Sequence, residues 1–244
     1  GYNLNAFNAG DHSENSNCNY HSAFNGTSSA APTVAAVIGL MLEANPNLTW
    51  RDVKHILAET SDVVDSTRSH SESGITQYQW VTNAAGYKFH KWYGFGKINA
   101  ADAISTAQSY TANSRGTFVN TGFVSSGTLN TTIADNGTNN TNTITISKPN
   151  GSNDKVEFVR VSLQFNHSVP TGVGVRLLSP DGTTVNLMQV GTNINNPGST
   201  LFDIGVSALY GESIEGNWTI ALNDYTSDGT AGTFIAWGIQ IYGN

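Results

Sequence analysis

The apolar residues of this chain change their spacing once, near residue 112, and that change limits what it can fold into. Upstream they recur at helical spacing: Val53, Ile56 and Leu57 form one stripe behind Thr49. Downstream they alternate. The stretches VEFVRVSLQF, VGVRLLSPDGTTVNLM and NWTIALND read as strands, with Gly, Pro, Asn and Asp between them. The tetrapeptide SPDG is a turn. Several strands in a row without helical patterns between them predict a β-sandwich rather than βαβ units. The expected division is residues 1–111 and residues 112–244.

Within the first part, residues 1–26 are loop-like and rich in Asn and Ser. Thr33 to Ala44 shows no polar side until Glu43, so a helix there must be buried on most sides. Thr49 is a suitable N-cap for a second helix, and Asp52 three residues on gives a weak capping box. Residues 61–91 are polar and irregular, and INAADAISTAQS predicts a short third helix. Val34 to Leu42 is the longest apolar run, well short of the roughly 20 residues of a membrane span, so no span is expected.

Charge narrows the partners. The 244 residues carry a net charge of −7 and a pI near 5.2, with only 12% charged side chains. No basic stripe exists to bind nucleic acid or an anionic membrane surface. Cys18 is the single cysteine, so an internal disulfide is excluded.

FNGTSSAAPTVAAV, Phe24 to Val37, places serines at the head of a small, apolar helix. Ser28 or Ser29 could be an N-cap, since Ser leads that ranking. Pro32 in or just after the first turn suits that start. Equally, a helix N-terminus supplies backbone N–H groups and a positive dipole end beside a nucleophile, and Gly26 leaves room for a substrate. Residue chemistry leaves both readings open.

GTSSAAP resembles the active-site serine motif of subtilisin-like serine proteases, G-T-S-x-A-x-P, with Ser28 at the nucleophile position. LEANPNLTWRDVKHILAETS is similar to the following helix of the kexin/furin branch. WVTNAAGYKFHKWYGFGKINAADAI resembles that branch's Y-G-[FY]-G stretch and last helix. Further on, VRLLSPDGT, GNWTIALND and GTFIAWGIQIYG are similar to the P domain (Homo B domain) that follows the catalytic domain in these convertases.

The resemblance implies part of an α/β, three-layer subtilisin-like domain over residues 1–111, then an all-β, jelly-roll-like sandwich over 112–244. It implies a secreted serine endopeptidase acting on polypeptides through an acyl-enzyme on Ser28, with Gly26 and Thr27 at the oxyanion side of the site. Triad order Asp, His, Ser puts the partner Asp and His, and the oxyanion Asn, upstream of residue 1. His12, His21, His55, His70, His90 and His167 all lie outside the family's histidine motif, so surface or structural duty is expected of them. Without a base Ser28 is an ordinary alcohol, and the chain alone is expected to be inactive.

Cys18 would then pair with an upstream cysteine. Calcium is implied for the whole enzyme without assignment to residues. Among the acidic loop residues Asp181, Asp203, Asp224 and Asp228, the stretch Asp224 to Gly229 has a carboxylate spacing that could hold Ca²⁺, although it departs from an EF-hand loop after a few positions and Asp in turns is commonly turn chemistry alone. The alternative is a non-catalytic remnant whose sandwich binds a protein or glycan.

Overall fold

The computed structural model describes residues 7–22, 26–72, 75–135, 137–147, 149, 154–194 and 202–244. The rest of the loop expected over 1–26 lies outside the described residues. Helix α1 spans Thr27–Ala44, α2 Trp50–Thr60 and α3 Ala100–Ser109. Between α2 and α3, where the sequence reads as irregular, run four short strands: β1 (His70–Glu72), β2 (Ile75–Tyr78), β3 (Val81–Thr82) and β4 (Lys88–Phe89). They pair as two hairpins, β1 with β2 and β3 with β4. Polar two- to four-residue strands carry too few alternating apolar positions to announce themselves.

The cap chemistry of α2 is as its sequence predicts. Thr49 N–H donates to Asp52 Oδ2 at 2.8 Å, and Asp52 N–H donates to Thr49 Oγ1 at 3.2 Å. Asp52 Oδ2 also accepts the Asn113 N–H at 2.9 Å, which fastens the helix to the chain leaving α3. Asn99 caps α3 through its side-chain oxygen.

Met41, Ile56, Ala103 and Ala107 form the fully buried centre of a small core, with Val37, Leu48 and Val53 beside them. This corrects the expected burial of α1. Of its 18 residues only Val37 and Met41 are buried, and Leu40 and Leu42 stand open to solvent. Its contacts are made along one side, chiefly with α3, so the remaining apolar surface has no covering layer among the described residues. Counted from Thr27, the 18 residues of α1, about 27 Å, are long and apolar enough to cross a membrane by length and composition alone, a test that a core helix also passes.

Apart from one 3-10 turn at Pro170–Gly172, the regular elements described in the second half are strands: β5 (Val119–Asn120), β6 (Val124–Ser125), β7 (Thr131–Ile133), β8 (Asn140–Ile146), β9 (Val156–Asn166), β10 (Val173–Leu178), β11 (Thr184–Met188), β12 (Phe202–Val206), β13 (Gly216–Asp224) and β14 (Gly232–Gly243). They form two antiparallel sheets, β11-β10-β13-β8 and β12-β9-β14-β5, with β6 and β7 also pairing with β14. Val159, Val161, Leu163 and Phe165 point inward from β9 at every second position, meeting Val175 and Leu177 of β10 in one core. Trp218 and Trp237 are buried there with their indole N–H groups donated to Ile214 O and Asn142 Oδ1. The SPDG turn closes β10 to β11, with Gly182 at φ 93°. This is a partial α/β unit followed by a β-sandwich, the expected fold class.

The joint between the halves is polar. Arg51 on α2 grips the Glu157 carboxylate of β9 at 2.7 Å, with both groups buried. Lys54 donates to Glu157 O at 2.7 Å. Asn83 reaches the carbonyls of Ala208 and Tyr210, and Ala84 N–H donates to Glu212.

Candidate active site

The structure removes one of the two readings of the serines. The N-cap of α1 is Gly26, at φ 90° and ψ −179°, with no side chain to cap anything. Its carbonyl accepts the N–H groups of Ser29 and Ala30 at 3.1 and 3.2 Å. Ser29 turns its hydroxyl back onto the same carbonyl at 2.9 Å. Thr27 and Ser28 are exposed on the first turn, and the Ser28 hydroxyl has no hydrogen bond among the described residues. Ser28 is therefore not a cap.

Gly26 has a physical reason to be glycine. Its positive φ suits a residue without Cβ. A Cβ there would meet nothing within 4 Å, so the conformation, rather than crowding, selects glycine. Pro32 lies deeper than the sequence suggests, in the second turn. Having no N–H, it leaves the Ser28 carbonyl without its usual helical donor. The first turn of α1 thus presents an open hydroxyl at the positive end of a helix.

None of the six histidines hydrogen-bonds to Ser28. His12 Nδ1 accepts the Glu14 N–H and His21 is exposed. His70 stacks on Tyr78, and buried His90 stacks on Tyr93 with Nδ1 accepting the Trp92 N–H. His55 sits in the joint, 3.2 Å from the Tyr210 hydroxyl and 4.0 Å from Glu59. Burial, helped by Arg115, lowers the His55 pKa. Burial and the nearby Glu59 raise the pKa of Tyr87, while burial raises that of Tyr210. His167 is wholly buried, its Nε2 3.1 Å from Asp224 Oδ2. These are structural placements.

The acidic candidates separate. Asp181 caps the Ser213 N–H at 2.7 Å, and Asp203 binds Arg160 at 2.6 Å and Ser162. Asp224 and Asp228 do converge, joined by Asp135, which the sequence reading missed because it lies 89 residues before Asp224. One oxygen from each lies within 4.8 Å of the others. The donor type suits a hard cation. Internal donors already engage the cluster, however. Asp135 takes the N–H groups of Asp228 and Gly229, Asp224 Oδ1 takes Thr226, and Asp228 takes Thr230. His167 Nε2 faces Asp224 Oδ2 at 3.1 Å, yet both atoms are buried without a hydrogen-bond partner among the described residues, so the three carboxylates keep an oxygen that a cation could use.

The joint residues were also invisible in the sequence. Arg51 meets Glu157, and Asn83 meets Ala208 and Tyr210, each across more than 100 positions, and no local pattern signals such pairs.

With this geometry in place, known proteins can be set beside the chain. The Subtilase family model matches residues 2–96, and the Proprotein convertase P-domain model matches residues 156–241. Proprotein convertase subtilisin/kexin type 6 of Rattus norvegicus is 30% identical over 234 residues, 89% of this chain and 23% of that protein. Kexin of Saccharomyces cerevisiae is 30% identical over 242 residues, 95% of this chain and 28% of its own length. The chain thus spans about a quarter of these relatives. The crystal structure of a serine protease of Aeromonas sobria superposes with a TM-score of 0.80 at 24% identity, covering 94% of this chain and 46% of that one. It supports the fold. The two family matches lie in this order on one chain, a segment similar to the Subtilase family followed by one similar to the Proprotein convertase P-domain.

Proposed function

We propose that this chain is the C-terminal part of a secreted, kexin-like serine endopeptidase, divided near residue 112 into subtilase segment and P domain. Ser28 is the nucleophile. The observation that carries this reading is its exposed, unbonded hydroxyl on the first turn of α1, two residues after a positive-φ glycine. Its position in the subtilase match supports the same assignment.

In the complete enzyme, a His oriented by an Asp, both N-terminal to residue 1, takes the Ser28 proton as the hydroxyl attacks the scissile carbonyl. The Ser28 backbone N–H, with Thr27 and Gly26 beside it, faces the developing oxyanion together with an upstream Asn. Collapse to the acyl-enzyme expels the amine, and water then releases the acid. The bare apolar side of α1 supports this arrangement, because the remaining layers of the catalytic domain would cover it. That is also why α1 is read as a core helix and not as a membrane span.

Calcium belongs to this proposal as a structural ion of the complete enzyme, holding carboxylate-rich loops in place, with no residue here assigned to it. The test is kinetic. Ser28→Ala in the full-length protein should cost about 10⁶ in kcat for peptide hydrolysis, the scale of nucleophile loss in subtilisin. Ser29→Ala should keep most of the activity. The reverse pattern would overturn the assignment.

A further inference from the structure

A cleft remote in sequence from Ser28 lies between the β2–β4 arm and the sandwich. It has a volume of about 410 Å³, within the usual ~300–1,000 Å³ of ligand sites. Its lining includes two cations, Lys91 from the arm and Arg176 from β10, and not one Asp or Glu. That is unusual in a chain with 18 acidic and 11 basic side chains. Four other cations do find acids: Arg51 and Arg115 share Glu157, Arg160 holds Asp203, and Lys97 meets Asp62. Lys91 has no ion pair among the described residues, and the Arg176 guanidinium has only the neutral Asn139 oxygen at 3.2 Å.

The cleft also presents backbone. It is bordered by β11 and β12, the outermost strands of the two sheets, and neither has a further strand beside it among the described residues. The arm reaches β11 through side chains rather than a ladder. Asn186 Nδ2 donates to Gln77 O at 2.7 Å, and Val190 N–H donates to the Gln77 side chain at 3.0 Å. Phe89, Leu187 and Ile204 give the floor an apolar part. Unsatisfied strand edges bind extended peptides by main-chain hydrogen bonds, and alternate side chains set specificity.

We infer that this cleft binds an extended, acidic polypeptide segment, its carboxylates toward Lys91 and Arg176 and its apolar side chains on the floor. The site is independent of the protease reading. Its test uses the full-length protein in a Ser28→Ala background, so that no probe is hydrolysed. The probe is a blocked hexapeptide alternating Val and Glu, compared by calorimetry with its Val/Gln counterpart.

The acidic peptide should bind about 10-fold more tightly than the neutral one, and the preference should shrink as salt rises. Lys91→Gln with Arg176→Gln should abolish the preference, while Arg176→Lys keeps most of it and shows that the fold is intact. Equal binding of the two peptides, or a preference that survives the double change, overturns the inference. So does binding of inorganic phosphate where the acidic peptide fails to bind.

Discussion

Two serines side by side in sequence do different things. Ser29 spends its hydroxyl on the Gly26 carbonyl, whereas Ser28 leaves its own free. That distinction depends on where the helix starts, and the sequence could not decide it. Ser29 also occupies the position after the proposed nucleophile, where many subtilisins carry an oxidisable Met. Met41 lies several turns further along α1, and Met188 is in the sandwich. The full-length enzyme should therefore keep its activity in peroxide that oxidises both methionines, and a Ser29→Met variant should lose it. Residual activity after mild peroxide treatment measures this; equal loss in both proteins would remove Ser29 from the site. Cys18 is exposed and unpaired within the chain. If the full-length protein is secreted, as proposed, Cys18 should form a disulfide with a cysteine N-terminal to residue 1. Mass spectrometry of non-reduced digests would show the cross-linked peptide, and a free thiol would count against the pairing.

At the scale of elements, the joint between α2 and the sandwich carries the sharpest energetic claims. Arg51 and Glu157 are both buried, so removing one leaves the other's charge without its partner. Glu157→Ala should destabilise the chain by about 3–5 kcal/mol, read as a fall in the denaturant midpoint. A loss under 1 kcal/mol would mean the pair is solvated. His55 makes the same joint sensitive to acid. Burial first, and Arg115 second, lower its pKa, with Glu59, Glu157 and Asp52 opposing. The fold therefore favours neutral His55. Its stabilisation is fully present above the unfolded value near 6.5 and is lost as pH falls through the lower folded value. His55→Phe should flatten stability against pH below about 6.5; an unchanged acid limb would exclude His55 as its source. Legibility also divides at this scale. The α2 cap was readable because Thr49 and Asp52 lie three residues apart, and β9 because its apolar residues alternate. The arm strands and the Asp135–Asp224–Asp228 meeting were not, since they rest on short polar runs or on contacts far apart in sequence.

For the whole molecule, the unbalanced feature is α1. A groove of about 910 Å³ runs along it, bordered by Val34, Ile38, Leu42, Leu57 and Phe95. Such apolar surface seeks cover in water. The isolated 244-residue chain should bind a hydrophobic dye strongly, and the full-length protein should not, because the rest of the catalytic domain would fill the groove. Equal dye binding by both would mean that α1 stays bare in the complete protein. The resemblance to convertases located Ser28 in the sequence, and the structure added why that hydroxyl is available. The most direct measurement is therefore covalent: react the full-length protein with a fluorophosphonate and map the adduct by mass spectrometry. The account predicts a single modified peptide carrying the label on Ser28, absent from Ser28→Ala. A label on another residue, or labelling that survives Ser28→Ala, would contradict it.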